Sequence, residues 1–232
     1  MDGSYSIADN VRYVREIIAE AAVRSGRAPS DILLVAASKT KPAQYVREAV
    51  AAGVDAIGEN RVQEMLEKSA QGAYQSAPLH FIGQLQSNKV NKVVGLCDLI
   101  ESVGSHTLLG QIGRRAAALG LIQNVLIEVN IGREPQKSGV FPERIDEILE
   151  FASKIKGINV LGLMAVPPVN GQHDRNCNYF DAMTKLFIDI SGKKYDNASV
   201  QLLSMGMSDS YTEAIIAGSN MVRIGSAIFG AR

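Results

Sequence analysis

Cysteine is scarce in this sequence: only Cys97 and Cys177 occur in 232 residues, and they form no CxxC pair. A disulfide framework or a cysteine-rich zinc site needs several closely spaced cysteines, so the sequence argues against both classes of protein. So few cysteines are typical of a reducing compartment, and we expect the protein to be cytoplasmic. The residues around Cys177 give no sign of an activated thiolate.

The sequence also lacks net charge, because 24 Lys and Arg residues balance 24 Asp and Glu residues. No overall field would therefore draw nucleic acid or an anionic membrane to the surface, and any anion site would have to be local. No apolar run approaches the roughly 20 residues that span a bilayer, and the N-terminal segment lacks the organisation of a signal peptide. We therefore expect a soluble, unprocessed protein with no membrane or nucleic-acid partner.

What the sequence does contain is enough apolar residues, 46% of 232, to bury one large core. We expect a single domain over residues 1–232. Its first 30 residues are predicted to form a covering helix, because apolar residues recur there at steps of three and four and the pattern closes near Gly26. The residues that set this pattern are Val11, Val14, Ile17, Ile18 and Ala21.

Eight short apolar runs of strand length follow, separated by segments of helical character. The runs are Ile32 to Ser38, Ala56 to Gly58, Leu79 to Gly83, Leu99 to Val103, Val125 to Asn130, Val160 to Val166, Val200 to Ser204 and Met221 to Ile224. Alternating strands and helices imply parallel pairing, and nearly continuous apolar strands imply that both faces are covered. The pattern predicts a (β/α)8 TIM-type barrel with an extra N-terminal helix, with a doubly wound open sheet as the alternative. Pro167 to Phe180 is predicted to be a long loop on the catalytic face.

Lys39 stands at the end of the first predicted strand, in the segment VAASKTKP. A lone lysine at such a place is often one whose head group reaches solvent. It can also be a Schiff-base lysine, which needs a partly desolvated amine beside a place for a carbonyl compound. Lys39 alone does not decide between the two.

Small polar residues follow the seventh and eighth predicted strands, where barrels commonly build a phosphate site. Ser208 or Asp209 is predicted to cap the next helix, whose first amides would attract an anion. Gly225 and Ser226 offer an amide with no side chain in the way, and a hydroxyl. A tight turn with a cap would explain Ser208, but not the second pair at Gly225 and Ser226.

Arg223 lies inside the apolar run MVRIG, where an arginine is costly unless it is paired or faces a polar cavity. It could form a structural ion pair or contact a ligand. Together with a reactive lysine and a phosphate site, it could also face the ring nitrogen of pyridoxal phosphate.

The sequence resembles the pyridoxal phosphate homeostasis proteins, which are single-domain relatives of the N-terminal barrel of alanine racemase. The segments that carry the resemblance run from residue 33 to the C-terminus: VAASKTKP, AIGENRVQEMLEK, LHFIGQLQSNKV, IESVGS, IEVNIGREPQKSGV, GLMAVPP and SMGMSDSYTEAIIAGSNMVRIGSAIFGAR. It departs from the family at Arg61, where tyrosine is common, and at Ser210, where a second acidic residue is common. The resemblance implies a fold-type III barrel that binds pyridoxal 5'-phosphate.

Residue by residue, the resemblance implies that Lys39 holds pyridoxal 5'-phosphate as an internal aldimine. It implies further contacts to the phosphate, to the pyridine nitrogen and to the ring. These residues are Ser204, Gly225 and Ser226 for the phosphate, Arg223 for the pyridine nitrogen, and Asn60 and Met164 for the ring.

The first functional hypothesis is a carrier without robust catalysis, which holds the cofactor and delivers it to apo-enzymes. An arginine at the ring nitrogen disfavours protonation there, and the second domain that supplies the opposing tyrosine in alanine racemase is expected to be absent. For the same reason we expect a monomer. A small amino-acid racemase using Tyr211 is the alternative. A metal-dependent hydrolase would need His80, His106 and His173 to converge, and their spacing shows no ligand pattern.

Two further pairs have structural interpretations that we prefer. Glu59 and Glu101 at strand ends could be paired acid–base carboxylates, but such residues more often satisfy amides or a basic partner. Lys89 and Lys92 lie one turn apart on a predicted helix and form a small solvated face. They could instead contact a client enzyme or hold a second pyridoxal phosphate.

Overall fold

In the computed structural model, residues 6–168 and 173–230 are described, with residues 173–177 described only as helical backbone. Eight parallel strands form a closed barrel in chain order, β1 to β8, and β8 pairs with β1. The strands are β1 Leu33–Ala37, β2 Ala56–Glu59, β3 Leu79–Phe81, β4 Leu99–Val103, β5 Gln123–Val129, β6 Ile158–Ala165, β7 Ala198–Ser204 and β8 Met221–Ile224. The predicted (β/α)8 barrel is confirmed, and the open-sheet alternative is wrong.

Helices alternate with the strands around the outside of the barrel. Within the described residues they are α1 Ile7–Arg24, α2 Ala43–Ala51, α3 Val62–Ala70, α4 Val90–Val93, α5 His106–Ala118, α6 Ile145–Ala152, α7 His173–Ser191, α8 Tyr211–Ala217 and α9 Ser226–Phe229. Short 3-10 turns precede β1, α4 and α6. No helix in this part of the chain combines the length and apolar character needed to cross a bilayer.

The N-terminal helix α1 begins where its sequence provides a cap. The Ser6 hydroxyl accepts from the Asp9 amide, and the Asp9 carboxylate accepts from the Ser6 amide, which together satisfy two of the free amides of the first turn. Its buried face, which includes Val14 and Ile18, packs against α2, α8 and α9. The predicted helix is present and ends at Arg24; the assignment of residues 1–232 to a single domain stays a prediction.

Two apolar layers hold the barrel together. The larger layer lies between the strands and the surrounding helices, and the smaller one fills the inside of the barrel. The side chains inside the barrel are Val35, Ala56, Leu99, Leu126, Met164 and Met221. The inner layer leaves the carboxyl ends of the strands to polar residues, which meet at one mouth.

The predicted loop from Pro167 to Phe180 is wrong in its second half, where α7 begins at His173. Residues 169–172 lie outside the described part of the chain. The turn-forming residues in this segment suggested a loop. Phe180 and Met183, however, are almost fully buried at helical spacing, and this packing outweighs local preference.

Candidate functional site

A cavity of about 460 Å³ opens at the carboxyl ends of the strands. It lies between the segments that follow β1, β2, β7 and β8, which are the first and last parts of the barrel. Its lining includes the polar or glycine residues Lys39, Asn60, Ser208, Arg223, Gly225 and Ser226. A second cavity of about 310 Å³ adjoins it through Asn60, Ile82 and Val166, and has Met164 in its wall.

Lys39 sits in a tight turn immediately after β1. The Lys41 amide donates to the Ser38 carbonyl over 3.1 Å, and Thr40 has a left-handed φ of +64°. Lys39 is therefore the first of the two central residues of a β-turn, which fixes where its side chain leaves the backbone. Among the described residues, no hydrogen bond or ion pair ties down the Lys39 amine, so it is free to meet a ligand in the cavity.

A buried ion pair lies directly beneath this turn. The Lys68 amine is 2.7 Å from Glu59 Oε1 and donates to the Ser38 carbonyl over 2.7 Å. The Ser38 hydroxyl donates to the same Glu59 oxygen over 2.5 Å, and the Tyr74 hydroxyl donates to it over 3.2 Å. Glu59 thus has the basic partner that its strand-end position suggested. Burial and the neighbouring Glu59 charge raise the pKa of Tyr74 far above its ordinary value.

Lys68 was not among the residues predicted for the site, although the sequence contains a signal for it. Met65 and Lys68 are three residues apart on α3 and share its buried face. A lysine on the apolar side of an amphipathic helix needs a buried acid, and the nearest strand end supplies Glu59.

On the opposite side of the cavity, the segment after β8 presents backbone amides. The Ser208 hydroxyl accepts from the Gly225 amide over 3.2 Å and from the Ala227 amide over 3.3 Å. A methyl group at Gly225 would lie 3.1 Å from the Ala37 carbonyl, so glycine permits the close approach of β8 to β1. These amides donate to an oxygen that faces the cavity, as an oxyanion site requires.

The predicted cap of the following helix is wrong. Neither Ser208 nor Asp209 caps α8; Ser210 occupies the N-cap position and makes no side-chain cap bond to the helix. The Ser210 hydroxyl accepts from the Met207 amide instead, and Ser208 turns toward Gly225. Three neighbouring residues, Ser208, Asp209 and Ser210, were all possible caps from the sequence. The segment after β8 lies close enough for its amides to hydrogen-bond Ser208, so Ser208 does not cap the helix.

Arg223 extends from β8 into the barrel and is 5% exposed as a residue. Its guanidinium donates to the Ser204 hydroxyl over 2.5 Å and to the Ala165 carbonyl over 2.9 Å, and lies 3.7 Å from Glu101 Oε2. Burial lowers the pKa of Arg223, while Glu101 and Glu128 act in the opposite direction. Arg223 therefore has an internal partner and also lines the cavity. A structural ion pair and a contact to a ligand are thus compatible at this residue.

Glu101 is the centre of the polar network inside the barrel. It accepts from the Ser204 hydroxyl over 2.6 Å and lies 2.8 Å from His80 Nδ1. Burial favours the neutral carboxyl, but the hydrogen bond and charge of His80, with Arg223 and Ser204, outweigh it and lower the pKa of Glu101. Glu101 therefore stays ionised as the counter-charge of Arg223.

The structure brings together five of the seven residues expected at the cofactor: Lys39, Asn60, Arg223, Gly225 and Ser226 line one cavity. Met164 lines the adjoining cavity. Ser204 is fully buried, and its hydroxyl donates to Glu101 and accepts from Arg223, away from the cavity. In this geometry the hydroxyl near the Gly225 amide belongs to Ser208.

Asn60 has an unusual feature at this mouth. Its side-chain oxygen Oδ1 is buried and has no hydrogen-bond partner among the described residues. A buried amide oxygen without a donor is unfavourable, so a ligand with a hydroxyl or N–H group would stabilise this arrangement.

Other residues singled out in the sequence lie elsewhere. Tyr211 is buried in the outer core at the start of α8, and burial raises its pKa to about 12. His80 pairs with Glu101 inside the barrel, whereas His106 stacks edge-on against Phe151 at 5.0 Å. His173 and Cys177 have no described side chains; among the side chains that are described, no group of three or more metal-ligating residues occurs.

Lys89 and Lys92 line a separate cavity of about 210 Å³ beside Arg61. The cavity reaches Asn60, which also borders the main one. Lys89 lies in a 3-10 turn and Lys92 in α4, so the helix predicted to carry both lysines is divided into a 3-10 turn and a short α-helix.

Comparisons with known proteins agree with this barrel fold. The family model described as "Alanine racemase, N-terminal domain" matches residues 6–232. A pyridoxal phosphate homeostasis protein from Aquifex aeolicus is 39% identical over 219 residues, which cover 94% of this chain and 95% of that protein. A protein of the same name from Escherichia coli is 38% identical over 229 residues, covering 97% of each chain.

Solved structures show the same fold. PipY from Synechococcus elongatus, solved with pyridoxal phosphate bound, has a TM-score of 0.84 and 29% identity, covering 97% of this chain and 100% of that one. The alanine racemase of Clostridium difficile has a TM-score of 0.71 at 19% identity, and the match spans 57% of that chain. The latter similarity concerns the fold alone.

The protein is therefore an alanine-racemase-type barrel with a polar mouth between β1 and β8. Within that class, the chain belongs to the pyridoxal phosphate homeostasis protein family.

Proposed function

We propose that this protein binds pyridoxal 5'-phosphate reversibly at the mouth of the barrel and takes part in its intracellular homeostasis. The observation that carries the proposal is the meeting in one cavity of a lysine amine without a partner among the described residues, a buried arginine and the backbone amides after β8. The names of the relatives, and the bound pyridoxal phosphate in PipY, support the same ligand.

The residues present fit this cofactor. Lys39 is the amine that would form an imine with the cofactor aldehyde, releasing the aldehyde oxygen as water. The amides of Gly225 and Ala227 already donate to an oxygen, that of Ser208, and would donate equally to phosphate oxygens. Ser226 adds a hydroxyl at the same place.

Arg223 and Asn60 would define the environment of the ring. The positive charge of Arg223, kept by Glu101, disfavours a proton on a ring nitrogen that faces it, which weakens the ring as an electron sink. Asn60 offers a buried amide oxygen that a ring hydroxyl would satisfy. Met164 would contribute apolar contact from the adjoining wall.

We infer that the protein carries the cofactor for apo-enzymes rather than using it in robust catalysis. A racemase with a weakly electrophilic ring needs bases on both sides of the substrate α-carbon. Tyr211, the tyrosine considered for that role, lies in the outer core and not in the cavity wall. A cytoplasmic location and a monomeric state remain predictions of this proposal.

The first experiment is an absorption spectrum after mixing with pyridoxal phosphate, followed by borohydride reduction and peptide mass mapping. Wild type and Lys92→Ala, an exposed lysine outside the main cavity, are expected to show a visible imine band and a reduced adduct on Lys39. Lys39→Ala is expected to lose both. Absence of the band in wild type, or adducts scattered over surface lysines, would contradict the proposal.

Two further measurements distinguish catalysis from delivery of the cofactor to apo-enzymes. Loaded protein is expected to restore activity to an apo-enzyme that needs the cofactor, and to cause no exchange of the α-hydrogen of amino acids in deuterated water. Exchange that is lost in Lys39→Ala would instead identify an amino-acid racemase.

A further inference from the structure

Side chains of helix α3 hydrogen-bond to the turn that carries Lys39 on both sides of the lysine. The Lys68 amine donates to the carbonyl of Ser38, the residue before Lys39, over 2.7 Å. The Glu64 carboxylate accepts from the amide of Thr40, the residue after Lys39, over 2.7 Å. One helix therefore holds the backbone on either side of the lysine that the proposed function requires.

The Lys68 contact is fixed by burial. Its side chain is 6% exposed and its partner Glu59 is fully buried, 2.7 Å away. A buried charge pair tolerates little displacement, because neither charge can be solvated if the pair opens. The Lys68 amine that donates to the Ser38 carbonyl is therefore kept in place by its ion pair with Glu59.

The Glu64 contact supports a strained residue. Thr40 is β-branched and has a φ of +64°, a region that such residues rarely occupy. Strain of this kind persists only where surrounding contacts over-determine the conformation. A charge-assisted hydrogen bond from the Thr40 amide to Glu64 is such a contact. Glu64 also lies 4.0 Å from the Lys68 amine, which couples the two contacts.

We propose that Glu64 and Lys68 are positioning residues for Lys39, which hold its amine toward the cavity without touching the cofactor. The proposal rests on the proposed function, because it concerns the covalent adduct at Lys39. It assigns to α3 a role in the covalent step and none in the non-covalent binding of the phosphorylated ring, whose amides and arginine come from the segments around β8.

The test uses two ligands and replaces Glu64, whose side chain is 19% exposed, rather than the buried Lys68. Pyridoxal 5'-phosphate reports covalent plus non-covalent binding through its visible band, and pyridoxine 5'-phosphate, which has no aldehyde, reports non-covalent binding by calorimetry. For Glu64→Ala we expect about tenfold weaker pyridoxal phosphate binding, the size expected for one charge-assisted hydrogen bond. The affinity for pyridoxine phosphate is expected to change by less than about twofold, because its contacts do not involve α3.

Two variants on the same helix are the controls. Glu64→Gln keeps an oxygen for the Thr40 amide and is expected to recover most of the lost affinity. Glu67→Ala removes an exposed carboxylate that accepts a hydrogen bond from Gln63, and is expected to behave as wild type. A parallel loss of both ligands in Glu64→Ala would mean a general structural defect and would overturn the proposal.

The remaining outcomes are also decisive. A wild-type adduct on Lys39 that is unchanged in Glu64→Ala would overturn the positioning role while leaving the proposed function intact. Failure of wild type to form an adduct on Lys39 would overturn both.

Discussion

Glu101 illustrates how a single residue inside the barrel sets the character of the mouth. Its Oε2 lies 3.7 Å from the Arg223 guanidinium and accepts a hydrogen bond from the Ser204 hydroxyl. Its Oε1 contacts His80. Arg223 can therefore stay charged in a fully buried position and still border the cavity. The charge that Arg223 presents to the cavity is therefore supported by Glu101 and His80, which do not line that cavity.

The lowered pKa of Glu101 gives a prediction about stability and pH. Because its folded pKa is below the unfolded value of about 4.3, ionised Glu101 stabilises the fold above that pH, and this contribution is lost as the pH falls through the folded pKa. The unfolding free energy of wild type minus that of Glu101→Gln should therefore shrink as the pH is lowered from about 5 toward the folded pKa. Urea unfolding of both proteins at several pH values measures it.

Glu128 titrates in the opposite direction, because burial raises its pKa, and it shares Arg223 with Glu101. The same comparison is therefore also made in a Glu128→Gln background, where Glu128 cannot contribute to the difference. A difference that stays constant or grows as the pH falls would contradict the lowered pKa of Glu101.

Residue types at strand ends predicted much of the site. Lys39, Arg223 and Gly225 could be singled out because a lysine, an arginine and a glycine stand where an apolar run ends or is interrupted. The orientation of the Ser204 hydroxyl could not be predicted from the sequence. A shift of one residue in the strand register decides whether this hydroxyl faces the cavity or Glu101. The role of the β8 amides as donors to Ser208 depends on the approach of two distant segments.

Among the elements, α3 has the clearest link between packing and the site. It buries Met65 against the core and uses the same face to bring Lys68 to Glu59. The helix thus combines core packing with support for the turn after β1.

Replacing Lys68 by methionine is expected to destabilise the protein strongly. Lys68→Met keeps the length of the side chain but leaves Glu59 buried without its positive partner, which costs about 3–5 kcal/mol in unfolding free energy. Lys154→Met, at an exposed position after α6, should change it by less than about 0.5 kcal/mol. Chemical denaturation at pH 7 measures both, and a Lys68→Met protein as stable as Lys154→Met would mean that the ion pair is not needed.

The strands were predicted well because each is short, apolar and followed by a polar strand end, and their centres agree with the structure. Their starts were less accurate. β5, β6 and β7 each begin two residues before the predicted position, at Gln123, Ile158 and Ala198. Polar residues there still join the parallel ladder, which a count of apolar residues does not detect. The start of α7 was missed because turn-forming residues precede its buried side chains.

For the whole molecule, a single copy in solution stays a prediction, and the exposed apolar side chains are compatible with it. Among the described residues, the most exposed large ones include Val23 on α1, Ile122 before β5 and Ile188 on α7, which belong to different elements. Scattered apolar side chains of this kind are ordinary on a monomer surface. Light scattering coupled to size-exclusion chromatography is expected to give the mass of one chain, 24.9 kDa. Twice that mass would contradict the prediction.

The pairing of β8 with β1 has a consequence for how the protein becomes functional during its synthesis. Lys39 follows the first barrel strand to leave the ribosome, whereas Arg223 lies in the last strand and Gly225 directly follows it. A nascent chain that lacks β8 can expose the lysine but has neither the arginine nor the amides. On the proposed function, its lysine would meet the cofactor aldehyde without a phosphate anchor. Retention of the cofactor would therefore distinguish finished, closed barrels from interrupted or clipped chains.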